Sequence, residues 1–287
     1  MRERIQHPSV ENQTISHIQA LGIKFVAFDL DNTLVDIYPI FDTAFTDSCG
    51  LLLFGSNWDN DNPNMQESAR KLKGYADSYY CELKNTRGVY AALRNEFQVN
   101  PVISPYSVQI VGTQFLRLDP NHPHLELAIA RINQIYTHDV PKVFPGAIDA
   151  VEIFNRAGAE TAVATHREKD WMLHTRNNSP LVGKFKSWNN FDVDIPKSVQ
   201  WAGFFENKGI DPKNALIIGD NFYEDIVSPW RLGAYVVYIG NNFENLDAEI
   251  KNSSRFTQIS GLIDIHEAIA NMRQQIVCGG DGTLHEL

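Results

Sequence analysis

FVAFDLDNTLVD, residues 25–36, sets a short apolar run directly before two aspartates. Phe25–Phe28 is apolar on both faces, which is typical of a β-strand in a parallel sheet that helices cover on both sides. Similar buried runs follow at Thr161–Thr165, Ala215–Ile218 and Ala234–Ile239, with a strand-like piece near Phe185–Val193. Residues 25–36 therefore begin a sheet whose other strands come much later in the chain.

Helical patterns separate these later strands. AIDAVEIFNRA follows Pro145-Gly146, carries apolar residues three and four positions apart, and ends at Gly158. SVQWAGFFENKG has the same character and ends near Gly209. Strands that alternate with helices predict an α/β fold with a parallel sheet and right-handed crossovers.

Residues 36–143 interrupt this alternation. Aromatic and aliphatic residues recur there at helical spacing, as in ESARKLKGYADSYYCELK and HLELAIARINQIY. The segment SVQIVGTQFLRL is ambiguous between helix and strand. We expect an inserted, mainly helical module of roughly a hundred residues.

Composition excludes several classes of protein. The chain has 25 Lys and Arg against 35 Asp and Glu, a net charge of −10, so it is not expected to bind nucleic acid. Apolar runs such as Leu51–Phe54 are far too short to span a membrane, and the N-terminus lacks a signal-like apolar core. Three scattered cysteines, Cys49, Cys81 and Cys278, fit a reducing compartment. We expect a soluble cytoplasmic protein, and the sequence leaves its oligomeric state open.

Polar residues follow three of the predicted strands. Asp29 and Asp31 come after the first strand, Thr165 ends the second, and Asp220, with Asp225 five residues later, follows the strand at Ala215–Ile218. Because the carboxyl ends of parallel strands meet at one edge of a sheet, these side chains should converge there. Lys197, just before a predicted helix, joins them in chain order.

The residue types in this cluster indicate phosphoryl chemistry. Carboxylates held close repel one another, a divalent cation relieves the repulsion, and an oxygen-only site favours Mg²⁺. A metal, a lysine and a hydroxyl together form a phosphate pocket. The Asp nearer the strand, Asp29, would attack phosphorus and form an aspartyl-phosphate, while Asp31 would donate a proton to the leaving group and later take one from water. The alternative is a set of acidic loops on an inert α/β domain.

Four motifs, FDLDNTLVD, VATH, PKSVQ and IIGDNFYEDI, resemble those of the haloacid dehalogenase-like (HAD) hydrolase superfamily. The resemblance implies a Rossmann-like core with an inserted cap, Mg²⁺ and a phosphoaspartate mechanism. It implies Asp29 as nucleophile and Asp31 as general acid/base, the latter also giving its backbone carbonyl to the metal. Thr165 and Lys197 resemble the phosphate-binding pair. Asp220 resembles the metal carboxylate, with Asp225 as a further acidic ligand.

Within the superfamily, an Asp at position 31 resembles phosphatases and mutases, because the dehalogenases lack that acid. The long gap lies between the first and second motifs, which indicates a helical cap of the C1 type. Lys197 lacks the proline that often follows the third-motif lysine, so Lys184 and Lys186 remain alternatives for its role.

Three other features carry weaker signals. GGDGT, residues 279–283, matches a nucleotide-binding pattern but is better explained as a polar tail. His122 and His124 flank a proline in a loop and are not expected to bind a metal. His166 follows Thr165, and its backbone N–H resembles one that the family uses on phosphate, while its side chain could touch the leaving group.

The predicted organisation has four parts, one of which is formed by two segments of the chain. Residues 1–22 are an N-terminal extension, 23–40 and 141–278 the catalytic core, 41–140 the helical C1-type cap and 279–287 the tail. The predicted function is a Mg²⁺-dependent phosphatase acting on a small phosphorylated metabolite that the sequence does not identify. The alternatives are a phosphotransferase or phosphomutase of the same fold, and a catalytically idle HAD-fold binding protein.

Overall fold

The computed structural model describes residues 9–85, 105–136, 138–167, 169–192, 195–240 and 248–279. Six strands form one parallel sheet in the order β5-β4-β1-β6-β7-β8, and β2 pairs antiparallel with β3. The strands are β1 (Phe25–Phe28), β2 (Val35–Asp36), β3 (Lys142–Val143), β4 (Glu160–Thr165), β5 (Ser187–Asn190), β6 (Ala215–Gly219), β7 (Tyr235–Ile239) and β8 (Phe256–Ile259). The predicted α/β fold with a Rossmann-like parallel sheet is confirmed.

Helices connect these strands and also make up the inserted module. They are α1 (Val10–Ala20), α2 (Tyr38–Phe54), α3 (Pro63–Asn85), α4 (Pro105–Ile110), α5 (Pro123–Asn133), α6 (Ala147–Arg156), α7 (Lys169–Asn178), α8 (Lys197–Lys208), α9 (Ser228–Leu232), α10 (Ala248–Lys251) and α11 (Ile265–Gly279). Two segments, Val111–Phe115 and Phe222–Val227, are wound as π-helix. No helix in the described part of the chain combines the length and the hydropathy needed to cross a bilayer.

The central strand β1 is buried on both faces, as its sequence predicts. Val26 and Phe28 pack into one apolar cluster with residues of α1, α6 and α11. Phe25 and Ala27 point the other way, into a second cluster that includes Trp201 of α8. Alternate residues of one strand therefore supply two cores, one on each side of the sheet.

The described residues divide into two compact units. The sheet unit comprises Met1–Asp36, Lys142–Glu168 and Arg176–Leu287, and the helical unit comprises Ile37–Pro141 with Lys169–Thr175. The helical unit contains no strand within its described residues. Its own apolar cluster is built around α2 and α5 and includes Trp171, which is fully buried.

The structure differs from the sequence prediction in several elements. Helix α1 lies within residues 1–22, the predicted N-terminal extension, and its Ile18 lies in the core of the sheet unit. The ambiguous segment at 107–118 is helical up to Phe115 and irregular over 116–118. Strand β8 and the β2–β3 pair were not predicted, and residues 280–287, which hold most of the predicted tail, lie outside the described part.

Candidate active site

The register of the sheet brings the predicted strand-end residues to one edge. Phe28, the last residue of β1, lies opposite Val163 of β4 and Ile218 of β6. Asp29 follows Phe28 at once, while Thr165 and Asp220 come two residues after their partners. All three thus lie at the carboxyl edge of the sheet, next to its central strand, where α/β proteins bind ligands.

A buried lysine joins two of the predicted carboxylates. Lys197 Nζ lies 2.6 Å from Asp29 Oδ1 and 2.5 Å from Asp225 Oδ1, and the lysine side chain is only 2% exposed. Its ammonium also lies 5.7 Å from the ring centroid of Phe191 and 5.6 Å from that of Trp201. Although burial opposes its charge, the carboxylates of Asp225 and Asp29 raise the pKa of Lys197, so the lysine is a fixed cation.

The alternative lysines lie elsewhere. Lys184 donates to Glu152 over 2.6 Å, and Lys186 is exposed. Lys197 is the one of these three that contacts Asp29.

Three carboxylates crowd together beside this lysine. One oxygen from each of Asp29, Asp220 and Asp225 lies within 4.8 Å of the others. Burial raises the pKa of Asp29 well above its usual range, and the charges of Asp225 and Asp220 raise it further, against the opposing effect of Lys197. Burial and then the charge of Asp225 raise the pKa of Asp220 to about 7. The fold thus holds negative charges together at an energetic cost that a cation would relieve.

The turn after β1 gives the second aspartate a different environment. Asn32 has a left-handed backbone, φ 57°, and its N–H donates to Val35 O over 2.8 Å, which closes the turn. The side chain of Asp31 accepts from Arg167 Nε and lies outside the carboxylate trio. Thr33 Oγ1 donates to Asp220 Oδ1 over 3.5 Å, so the turn also contacts the loop after β6.

The two residues that follow β5, Phe191 and Asp192, are held by several hydrogen bonds. His166 Nε2 donates to Asp192 O over 2.9 Å, and burial lowers the pKa of His166. Gln200 accepts from Asp192 N over 2.9 Å and donates to Asp192 O over 2.8 Å. Thr165, which is 1% exposed, accepts from Phe191 N through its backbone carbonyl over 2.8 Å. These bonds fix the positions of Phe191 and Asp192 at the end of β5.

Four residues important to this geometry were not assigned roles from sequence: Thr33, Arg167, Gly219 and Glu224. Glu224 Oε2 accepts from Ser198 N over 2.7 Å, so a carboxylate caps the first turn of α8, where Lys197 begins the helix. Gly219 permits the close approach of Asp225, because a Cβ there would lie 2.4 Å from Asp225 Oδ2. The acidic character of Glu224 is visible in the sequence, but its partner on another element is not.

His122 and His124 have structural roles in the helical unit. His122 Nδ1 accepts from His124 N over 3.2 Å at the start of α5, and His124 Nδ1 bonds Leu52 O over 3.1 Å. Among the described residues, neither belongs to a group of three or more potential metal ligands.

Comparison with known proteins identifies the family. The model of the haloacid dehalogenase-like hydrolases matches residues 23–228, and the chain belongs to this family. No curated protein matches the sequence.

Solved structures share the fold at low sequence identity. A haloacid dehalogenase-like hydrolase from Xanthomonas campestris is 14% identical, with a TM-score of 0.61 over 89% of this chain and 98% of that one. The HAD-hydrolase YfnB from Bacillus subtilis, bound to magnesium, is 16% identical, with a TM-score of 0.55 over 86% and 98%. The L-2-haloacid dehalogenase RSc1362 is 14% identical, with a TM-score of 0.53 over 86% and 99%.

Proposed function

We propose that this hydrolase is a Mg²⁺-dependent phosphatase that cleaves a small phosphomonoester through an aspartyl-phosphate. The observation that carries the proposal is the pairing of Asp29, within a carboxylate trio, with a second acid, Asp31, outside it. Both phosphatases and dehalogenases occur among the similar structures. The acid at position 31 favours a phosphatase, because by resemblance the dehalogenases lack it.

The donor set fits Mg²⁺. Asp29, Asp220 and Asp225 offer only oxygen atoms within 4.8 Å of one another, which hard cations prefer. The raised pKa values of Asp29 and Asp220 reflect buried, mutually repelling carboxylates that a cation would stabilise in their charged form. By resemblance, the backbone carbonyl of Asp31 completes the protein ligands. When bound, Mg²⁺ would offset the charge of the phosphate oxygens.

In the first half-reaction, each residue of the site has a separate role. Lys197 holds Asp29 Oδ1, and we assign Oδ2 as the oxygen that attacks phosphorus. As the oxygen–phosphorus bond forms, the bond from phosphorus to the ester oxygen breaks, and Asp31 gives that oxygen its proton. Thr165 and Lys197 are assigned to the transferring phosphoryl group.

The second half-reaction reverses the role of Asp31. It takes a proton from water, the water oxygen attacks phosphorus, and the bond to Asp29 breaks to release phosphate and restore the carboxylate. If a sugar hydroxyl replaced the water, the same site would act as a phosphotransferase or phosphomutase. We assign the helical unit to substrate selection, as a C1-type cap, and place the enzyme in the cytoplasm.

The test is release of phosphate from p-nitrophenyl phosphate, with chloride release from 2-chloropropionate measured in parallel. We expect phosphate release that EDTA abolishes and Mg²⁺ restores. Ca²⁺ should support little turnover, because its looser coordination misplaces the reacting atoms. Chloride release without phosphate release would instead indicate a dehalogenase, and full activity in EDTA would rule out the metal. An absolute requirement for a sugar bisphosphate would indicate a mutase, and binding without turnover an idle protein.

A further inference from the structure

Arg167 is a second cation of the site, and it contacts Asp31, whereas Lys197 contacts Asp29 and Asp225. It lies two residues beyond Thr165, just after β4, and its Nε donates to Asp31 Oδ2. The side chains of Arg167 and Asp31 are 18% and 10% exposed. An arginine on the acid/base is not needed to bind the metal or to hold Asp29, since Lys197 already contacts the nucleophile.

Of these two cations, Arg167 is the more accessible to a substrate. Lys197 is 2% exposed, and its contacts with two carboxylates at 2.6 and 2.5 Å hold it beside the nucleophile, where it is assigned to the transferring phosphoryl group and not to the leaving alcohol. Arg167 is 18% exposed. A guanidinium is a planar fork of five N–H donors, which can contact two anions along different edges at the same time.

The position of Arg167 relates it to the leaving group. In the proposed function, Asp31 protonates the ester oxygen, so Asp31 marks the side of the phosphate from which the alcohol departs. Arg167 bonds Asp31 directly, so in the proposed mechanism it lies on the leaving-group side of the phosphate. A partly exposed guanidinium there favours an anionic oxygen group, which it binds by charge-assisted and often bidentate hydrogen bonds.

We propose that Arg167 binds an anionic group on the leaving alcohol, so that the natural substrate is a short phosphomonoester carrying a carboxylate or a second phosphate near the ester oxygen. This inference rests on the proposed function. It extends that function from a generic phosphomonoester to an anionic one, and it names Arg167 as the residue that recognises the anion.

Three substrates of equal carbon length test the inference: ethyl phosphate, 2-phosphoglycolate and ethane-1,2-diyl bisphosphate. The wild-type enzyme should prefer at least one of the two anionic esters over ethyl phosphate by about 10- to 100-fold in kcat/KM. Whichever anionic ester is preferred identifies the second group as carboxylate or phosphate. In Arg167→Met the preference should fall to within about 3-fold of unity, and Arg167→Lys should keep part of it.

The ratio between substrates is the informative readout. If Arg167 only positions Asp31, its loss lowers kcat/KM for all three esters equally and leaves the ratio unchanged, which would overturn the inference. Arg231→Met removes an exposed arginine of α9 and should leave the ratio at the wild-type value. A parallel loss in that control would assign the effect to net charge and likewise overturn the inference.

Binding gives a second measurement that does not need turnover. Titration calorimetry with phosphonoacetate and ethylphosphonate, in Mg²⁺, compares a ligand that has the carboxylate with one that lacks it, and methylenebisphosphonate adds the phosphate arm. Wild type should bind at least one of the two anionic phosphonates about 10-fold or more tightly than ethylphosphonate, and Arg167→Lys should narrow the difference. Equal binding of all three by wild type would overturn the inference, whether or not Arg167→Met folds.

Failure of this inference is distinguishable from failure of the proposed function. If the wild-type enzyme turns over p-nitrophenyl phosphate and all three esters with similar efficiency, the phosphatase assignment stands and the role of Arg167 is wrong. If it releases phosphate from none of them, the proposed function is wrong and the inference falls with it.

Discussion

Gly219 offers a test of the site geometry through a single methyl group. It ends β6, and a Cβ added there would lie 2.4 Å from Asp225 Oδ2 and 2.5 Å from Asp225 Cβ and Cγ. Real Cβ contacts essentially never fall under 3.0 Å, so Asp225 would have to retreat by at least about 0.6 Å.

Asp225 has little room to retreat. It is 1% exposed, its Oδ1 lies 2.5 Å from Lys197 Nζ, and its Oδ2 accepts from Asn221 N over 3.2 Å. Movement would weaken both contacts and shift one of the three carboxylates assigned to the metal. Displacements near 1 Å in an active site lower rates by about 100-fold, so Gly219→Ala should reduce kcat/KM by roughly that factor, about 2.7 kcal/mol. The overpacked methyl should also lower the free energy of unfolding by about 1–3 kcal/mol.

The assay is p-nitrophenyl phosphate hydrolysis over a Mg²⁺ titration, with urea unfolding alongside. Gly219→Ala should raise the half-saturating Mg²⁺ concentration as well as lower the rate. Gly203→Ala, in the interior of α8, is the matched control, because a Cβ there meets no atom within 4 Å. It should keep full activity and gain about 0.5–1 kcal/mol of stability. Wild-type kcat/KM and Mg²⁺ dependence in Gly219→Ala would refute the assignment of Asp225.

Three other predictions follow from the same geometry. Asp29→Asn should lower turnover by several orders of magnitude with an unchanged circular dichroism spectrum, because the amide is nearly isosteric but a poor nucleophile; more than a few per cent residual activity would exclude the role. The folded chain raises the pKa of Asp220 to about 7, so in the absence of metal the charged form of Asp220 destabilises the fold. In EDTA, the free energy of unfolding of wild type should therefore fall by on the order of 3 kcal/mol relative to Asp220→Asn as pH rises from 4 to 7. A difference in urea midpoints that stays constant with pH would contradict this. The third variant replaces residues 41–139 by a Gly/Ser bridge and carries Trp171→Gln, because Trp171 would lose its apolar neighbours in the helical unit. It should still hydrolyse p-nitrophenyl phosphate but should discriminate less among natural phosphoesters. Unchanged selectivity in a folded variant would place substrate selection in the sheet unit.

The sequence predicts best what is local and repeated. Strand β1 is recognisable because all four residues are apolar, and Asp29 is placed by following it. Strand β8 cannot be recognised from the sequence, because Thr257 and Gln258 interrupt its apolar pattern at the edge of the sheet. Strands β2 and β3, with two residues each, have no period to detect, and they form through pairing between Val35 and Val143.

Side-chain pairs across elements are less visible still. Nothing near Arg167 in the sequence signals that it meets Asp31, since the contact depends on how the ends of β1 and β4 come together. Glu224 lies in a π-helical turn, whose wider period moves side chains away from the positions that an α-helical pattern predicts. Its bond to Ser198 N therefore emerges only in the folded chain.

Burial raises the pKa values of Asp29 and Asp220, and the neighbouring negative charges raise them further. Asp29, Asp31, Asp220 and Asp225 bring four negative charges, while Lys197 and Arg167 bring two positive ones, so the fully ionised group of six carries −2. Glu224 stands apart from this sum, because its carboxylate caps a helix N-terminus. One divalent cation balances the remainder. Binding of Mg²⁺ should therefore release a proton from Asp220 near pH 7 and stabilise the fold, since the ion binds the native carboxylates and not the unfolded chain.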